Sequence, residues 1–209
     1  MNQMILVDRD FEVFNAIHKW RFLCSRHIVV LCDFSSERTA NRRLKLLIDN
    51  KFIKRQKVLY GTPYLYTLAH KSRLLIGANK REENIPLDKI YHNICVMDTV
   101  IYYIARYNIS LSEIVSEKEL HIADGFATRN HKPDFVIIKG EERHAVEVEL
   151  NPKSKERLEK NISDNYLNYE QQTWITNNTK VFAMVKNFSE QYSNIELISL
   201  KEVLEYVRK

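Results

Sequence analysis

Glycine and proline are scarce, four of each in 209 residues. That leaves no material for a long flexible linker or a low-complexity tail, and no internal repeat is present. Cysteine is nearly as rare. Cys24, Cys32 and Cys95 are an odd number with no C-x-x-C spacing, and each sits among apolar residues, as in His27-Ile28-Val29-Val30-Leu31-Cys32. Free, buried thiols in a reducing compartment are expected, and no disulfide framework. Long hydrophobic runs are missing too: stretches such as 100–105 fall far short of the roughly 20 residues a membrane span requires. Met1-Asn2-Gln3-Met4 leads into acidic Asp8 and Asp10, unlike a secretory signal. The expectation is a soluble cytoplasmic protein with no membrane partner.

Charge is unevenly placed. The chain has 32 Lys and Arg against 27 Asp and Glu, a net +5. Residues 35–57 alone hold eight basic residues (Arg38, Arg42, Arg43, Lys45, Lys51, Lys54, Arg55, Lys57) against Glu37 and Asp49, leaving that stretch six positive. The same stretch has a readable pattern. Asp8-Arg9-Asp10 followed by Phe11, Val13, Phe14, Ile17 and Trp20 predicts a capped amphipathic helix. Ser25 opens a short second helix, and Ser35 or Ser36 a third that runs to about Asn50. In the third, Ala40, Leu44, Leu47 and Ile48 mark a buried face. Arg38, Arg42, Lys45 and Asp49 point away from it, with Thr39, Asn41 and Arg43 on the flanks.

The period then changes. Phe52-Ile53-Lys54-Arg55 and Val58-Leu59-Tyr60 precede the turn signal Gly61-Thr62-Pro63, and Tyr64-Leu65-Tyr66-Thr67-Leu68 follows it, a hairpin pattern. Three helices and a hairpin in this span predict a winged helix-turn-helix over 1–78. Its third helix would enter the major groove of double-stranded DNA, and its hairpin would lie along the backbone. Arg38, Thr39, Asn41, Arg42, Arg43, Lys45, Lys54, Arg55 and Lys57 are the candidate contacts. A cationic stripe of this kind binds phosphate in a salt-sensitive manner, and Arg and Asn also read base edges. A plain solvated helix face is the alternative.

A short helix over 69–76 and a polar joint over 77–90 separate this unit from a second, 79–209. There a helix over 91–107 precedes strand signals at 114–115 with 120–122, at 135–138 and at 145–150. A polar helix over 153–169 follows, with Leu158, Ile162 and Tyr166 as its stripe. A strand at 181–185, a short one at 195–198 and a terminal helix over 200–207 complete an α/β (α+β) sandwich around a mixed sheet.

Two features of these strands have chemical content. Pro133-Asp134 opens one strand, and a later one contains Glu147-x-Glu149. Side chains alternate along a strand, so Val146, Val148 and Leu150 face the core while Glu147 and Glu149 share the other face. If the turn through Lys139-Gly140-Glu141-Glu142 pairs the strands, Asp134 lies beside Glu147. Converging carboxylates repel, and a hard divalent cation, Mg²⁺ or Mn²⁺, relieves the repulsion. Such an ion activates water for attack on a phosphate. An edge strand with solvated glutamates is the alternative. His121 and His131 make no metal-ligand spacing with the cysteines, so no zinc site is expected. His92 reads as a structural histidine, and Lys153, Lys155, Arg157 and Lys160 form a basic helix edge.

Ala40-x-x-Arg43-Leu44-x-x-Leu47, Tyr64-x-Tyr66-x-Leu68, Tyr91-His92-Asn93-Ile94, Ser116-Glu117-x-Glu119-Leu120, Pro133-Asp134 and Glu147-Val148-Glu149-Leu150-x-x-Lys153-Ser154 resemble the plasmid replication-relaxation family. Through it the chain resembles the MobC class of relaxases. The resemblance implies a winged helix followed by a restriction-endonuclease-like αβββαβ domain of PD-(D/E)xK type. It also implies nicking or relaxation of DNA at plasmid origins. By motif position Asp134 and Glu147 would be metal ligands. Glu149 occupies the position usually held by lysine, and Lys153 would take that lysine's role. Glu117 ranks lower as a further carboxylate.

Two functions stay open at this stage. One is a sequence-specific, Mg- or Mn-dependent DNA-nicking relaxase acting at an origin of transfer or replication, with Asp134, Glu147, Glu149 and Lys153 as its catalytic set. The other is a non-catalytic DNA-binding accessory protein or transcriptional regulator with a decayed nuclease-like domain for dimerisation or recruitment. A second copy of the chain, or other conjugation or replication proteins, would be partners beside the DNA.

Overall fold

A computed structural model describes residues 4–58, 60–78, 86–125 and 131–207. The described chain is mixed α and β, with nine helices and two sheets. Two compact units, 1–97 and 98–209, divide between Met97 and Asp98.

In the first unit α1 (Asp8–Trp20), α2 (Ser25–Leu31) and α3 (Glu37–Asp49) precede β1 (Ile53–Gln56) and β2 (Leu65–Leu68), and α4 (His70–Leu75) follows. The α3 start is set by Ser36, whose hydroxyl accepts from Thr39 N–H at 3.2 Å. A side-chain oxygen there satisfies an amide that has no carbonyl partner within the helix. Ala40, Leu44 and Leu47 are buried, as their spacing predicts, and Arg38, Asn41, Arg42 and Lys45 are exposed. β1 and β2 pair antiparallel, Ile53 opposite Leu68 and Gln56 opposite Leu65. Val58 and Tyr60, expected in the first strand, lie in the connection, and Leu59 is outside the described residues. So is half of the expected 77–90 joint, 79–85. A helix α5 (Leu87–Tyr107) begins within the expected joint. Ile90 and Ile94 pack with Phe22, Cys24 and Leu65, which is why its first half belongs to the first unit.

The second unit is built on a five-stranded sheet in the order β3 (Ile114–Ser116), β4 (Phe135–Lys139), β5 (Glu142–Val148), β6 (Gln171–Thr176), β7 (Ile195–Ser199). The first two pairings are antiparallel and the last two parallel. Helix α7 (Lys155–Asn168) connects β5 to β6, and α8 (Thr179–Phe188) connects β6 to β7. Leu158 and Ile162 of α7 meet Trp174 and the α8 residues Val181, Val185 and Phe188 in one core. The other sheet face receives the end of α5, where the Tyr103 ring meets Phe135 and His144 edge-on. The last helix, α9 (Leu200–Val207), joins it there: Tyr206 packs on Tyr102, whose hydroxyl donates to Glu202 at 3.0 Å.

Three expectations are corrected. Residues 120–122 are not strand but part of α6 (Glu117–Ala123). Ser116 accepts from Glu119 N–H at 3.3 Å while the Glu119 carboxylate accepts from Ser116 N–H at 2.8 Å, and this reciprocal cap starts a helix. Residues 181–185 are helical, because Asn178 accepts from Lys180 and Val181 N–H and Val181, Val185 and Phe188 recur at helical spacing. The parallel partner of β5 is Gln171–Thr176, where no strand is expected although Thr173-Trp174-Ile175-Thr176 has strand-forming composition. Its buried Gln172 donates to Ile162 O and Asn194 Oδ1 and accepts from Trp174 Nε1. No helix among the described residues is long and apolar enough to cross a membrane.

Candidate functional site

In the first unit the exposed side of α3 presents Arg38, Thr39, Asn41, Arg42 and Lys45. Arg43 is differently placed. Its guanidinium turns inward to the fully buried Asp10 of α1, donating Nε–H to Oδ1 at 2.7 Å, and Nη2 donates to Ile5 O at 3.0 Å. Asp10 also caps its own helix by accepting from Val7 N–H at 2.9 Å. An internally paired guanidinium is a poor candidate for phosphate or base contact. On the hairpin, Lys54, Arg55 and Lys57 are exposed. The Arg55 guanidinium lies 4.7 Å and the Lys57 ammonium 5.4 Å from the Tyr64 ring centroid, contacts that hold both cations on one tyrosine. Lys57 Nζ also donates to Thr62 O.

The carboxylates of the second unit come together at one end of β4 and β5. The register sets Phe135 opposite Val146, so one step further Asp134 opposes Glu147. Asp134 Oδ2 accepts from Val148 N–H at 2.8 Å. Glu147, near the end of β5, and Glu149, just beyond it, are 4% and 8% exposed. Lys153 pairs with Glu149. His131 Nε2 pairs with Glu147 Oε1, and Asn165 of α7 donates Nδ2–H to the same oxygen at 3.1 Å.

The electrostatics follow from burial. Burial pushes Glu147 above the ordinary carboxylate range, and neighbouring Asp134 adds to the rise, while His131 and Lys153 oppose it. Burial disfavours the charged His131 ring, but attraction to Glu147 outweighs it and raises His131. The pair therefore holds a proton more firmly than either group would alone.

All four sequence-predicted residues, Asp134, Glu147, Glu149 and Lys153, meet here. Sequence reasoning missed two members. His131 makes no ligand spacing with the cysteines, and the available signal is its position three residues before Asp134. Asn165 takes the buried stripe position after Leu158 and Ile162 that was assigned to Tyr166, which is 43% exposed. Glu117 stands apart, its side chain toward His121 at 3.7 Å. In the first unit His92 Nδ1 lies 3.3 Å from Asn93 Oδ1. Lys155, Arg157 and Lys160 are exposed.

Among the described residues no group of three or more His, Cys, Asp or Glu side chains is arranged to hold a metal. The donor chemistry at Asp134 and Glu147 nevertheless suits Mg²⁺ or Mn²⁺, which take hard oxygen ligands. Beside them Asn165, 1% exposed, has a buried Oδ1 with no hydrogen-bond partner, an acceptor left over for a donor that would enter the site. Comparison with protein-family models, with curated proteins and with solved structures finds no match.

Proposed function

We propose that the chain is a sequence-specific DNA-binding protein of a plasmid or other mobile element that nicks duplex DNA at an origin of transfer or replication, with Mg²⁺ or Mn²⁺ at Asp134 and Glu147. The observation that carries the enzymatic part is the meeting of Asp134, Glu147, Glu149 and Lys153 around a buried, raised carboxylate. Burying ionisable groups opposes folding, and clusters with shifted protonation concentrate at functional sites. The strand order and the α5–β3–α6–β4–β5–α7–β6 succession, with α6 as an addition between the first two strands, are compatible with a restriction-endonuclease-like domain. Three helices and an antiparallel ribbon are compatible with a winged helix-turn-helix whose α3 enters the major groove. Placement at an origin rests on the motif resemblance.

When bound, a divalent ion supplies Lewis acidity at a phosphate oxygen and lowers the pKa of a water. The remaining roles belong to the chain. Asp134 and Glu147 would hold the ion, and Asn165 orients Glu147 through its Nδ2–H while its Oδ1 would accept from a water. Lys153 carries positive charge toward the phosphate, and Glu149 fixes that ammonium in place. His131 compensates the charge of Glu147 and would yield it to the ion.

One observation favours a second reading. Lys153 on Glu149 and His131 on Glu147 neutralise the cluster from within, as in an accessory DNA-binding protein or transcriptional regulator whose second unit serves dimerisation or recruitment. Incubation with supercoiled plasmid carrying the protein's own origin separates the two. Wild type with Mg²⁺ or Mn²⁺ is expected to yield nicked circles without covalently attached protein. Asp134→Asn is expected to yield none while binding the same DNA. No nicking, together with no heat of Mn²⁺ binding in calorimetry, overturns the enzymatic reading and leaves the accessory one.

A further inference from the structure

Within the second unit, on the sheet face away from the carboxylates, Tyr103, Tyr107, Ile137 and His144 wall a cavity of about 260 Å³. Alternation along β5 sets His144 and Glu147 on opposite faces, so this cavity is separate from the cluster described above. Its walls are mostly aromatic and aliphatic. The Tyr103 and Tyr107 rings lie 5.3 Å apart and tilted by 34°.

Two polar groups inside are unusual. Tyr103 is 4% exposed and its hydroxyl has no hydrogen-bond partner. Thr173 interacts with this hydroxyl only beyond hydrogen-bond distance; its own hydroxyl donates to Glu196 at 2.9 Å and lies 2.7 Å from His144 Nε2. With its hydrogen given to Glu196, Thr173 accepts from His144 Nε2–H, and the neutral ring keeps Nδ1 as an acceptor. Burial holds that ring neutral by pushing its pKa down, against the smaller opposing pull of Glu196. A buried hydroxyl without a partner opposes folding, and such groups are exceptions that point to a missing ligand or water.

We propose that this cavity binds a nucleobase, carried by a nucleoside or by the end of a single strand. A flat body with a donor and an acceptor on its edge matches the aromatic walls, the Tyr103 hydroxyl and the His144 acceptor. The volume lies below the roughly 300–1,000 Å³ of pockets that hold drug-sized ligands, which suits a base with its sugar. At the rim Lys139 and Arg143 are balanced by Glu142 and Glu196. A rim without net charge gives no advantage to a di- or triphosphate.

The test uses the full chain. Adenosine, guanosine, cytidine and thymidine are titrated separately by saturation-transfer NMR and calorimetry, with ribose and ATP alongside. At least one nucleoside is expected to bind, ATP no more tightly than its nucleoside, and ribose not at all. Tyr103→Phe removes one hydroxyl and no volume. It is expected to weaken nucleoside binding at least about five-fold and to leave the melting temperature of the ligand-free protein equal or higher. A single-stranded tetranucleotide ending in the preferred base separates the two sources. Tighter binding than the nucleoside, with the gain lost in Tyr103→Phe, assigns a strand end; equal binding assigns the free nucleoside. No binding of any nucleoside at millimolar concentration, binding of ribose alone, or affinity unchanged in Tyr103→Phe overturns the proposal.

Discussion

Arg43 reaches from α3 into the first core and pairs with both oxygens of Asp10, a residue with no exposed surface. An arginine in the middle of a basic helix therefore holds the domain together while its neighbour Arg42 faces solvent. Arg43→Ala is expected to destabilise the first unit by about 2 kcal/mol in urea denaturation, because the buried carboxylate loses its counter-charge. Arg42→Ala is expected to change stability by less than about 0.5 kcal/mol. Equal stability losses would remove the structural role given to Arg43.

The exposed cations of α3 should govern affinity for duplex DNA. Arg42→Ala combined with Lys45→Ala is expected to flatten the slope of log affinity against log salt by about 2 units, one for each lost phosphate contact. An unchanged slope in a folded double variant would displace α3 as the contacting helix. Neutralising Lys54, Arg55 and Lys57 is expected to weaken binding to cognate and random duplexes by similar factors, since backbone contacts carry no sequence information. Loss confined to the cognate duplex would show instead that the hairpin reads bases.

Lys153 and Glu149 provide a check on the carboxylate cluster that needs no DNA. Lys153→Met leaves the poorly exposed Glu149 without its partner and is expected to cost about 1–2 kcal/mol. Adding Glu149→Gln should restore most of that loss. A double-mutant cycle with no coupling would mean that the pair does not stabilise the fold.

His144 has a pKa lowered by burial, so the unfolded chain binds its proton first as pH falls. Its contribution to stability is fully present above the unfolded value near 6.5 and is lost as pH drops from there toward the folded value, at up to about 1.4 kcal/mol per pH unit. The difference between wild type and His144→Gln, followed by thermal melts from pH 7.5 to 5, isolates this group from the other histidines. A difference that does not change with pH over that range would contradict the buried neutral ring.

Local pattern determined much of this protein. The Ala40, Leu44, Leu47 spacing set the buried face of α3, Ser35 or Ser36 marked its start, and the Val146, Val148 pattern marked the strand that carries Glu147. Each of these depends on neighbours within a few residues, where helical and extended periods are rigid. The Asp134–Glu147 encounter was also within reach, because a short hairpin fixes its own register.

Tertiary structure decided the rest. Gln171–Thr176 has strand formers in Thr173-Trp174-Ile175-Thr176 but no polar and apolar alternation; it is a strand because β5 and β7 flank it and its buried Gln172 finds partners on α7 and at Asn194. Residues 181–185 have strand composition, yet Asn178 caps a helix there that buries Val181, Val185 and Phe188 against Trp174. Arg43, His131 and Asn165 received their roles from partners distant in sequence or on another element: Asp10 for the first and Glu147 for the other two. Periodicity assigns a side chain to a face but not to a partner, because a partner is chosen by which elements pack together, and that choice is made by burial across the whole chain.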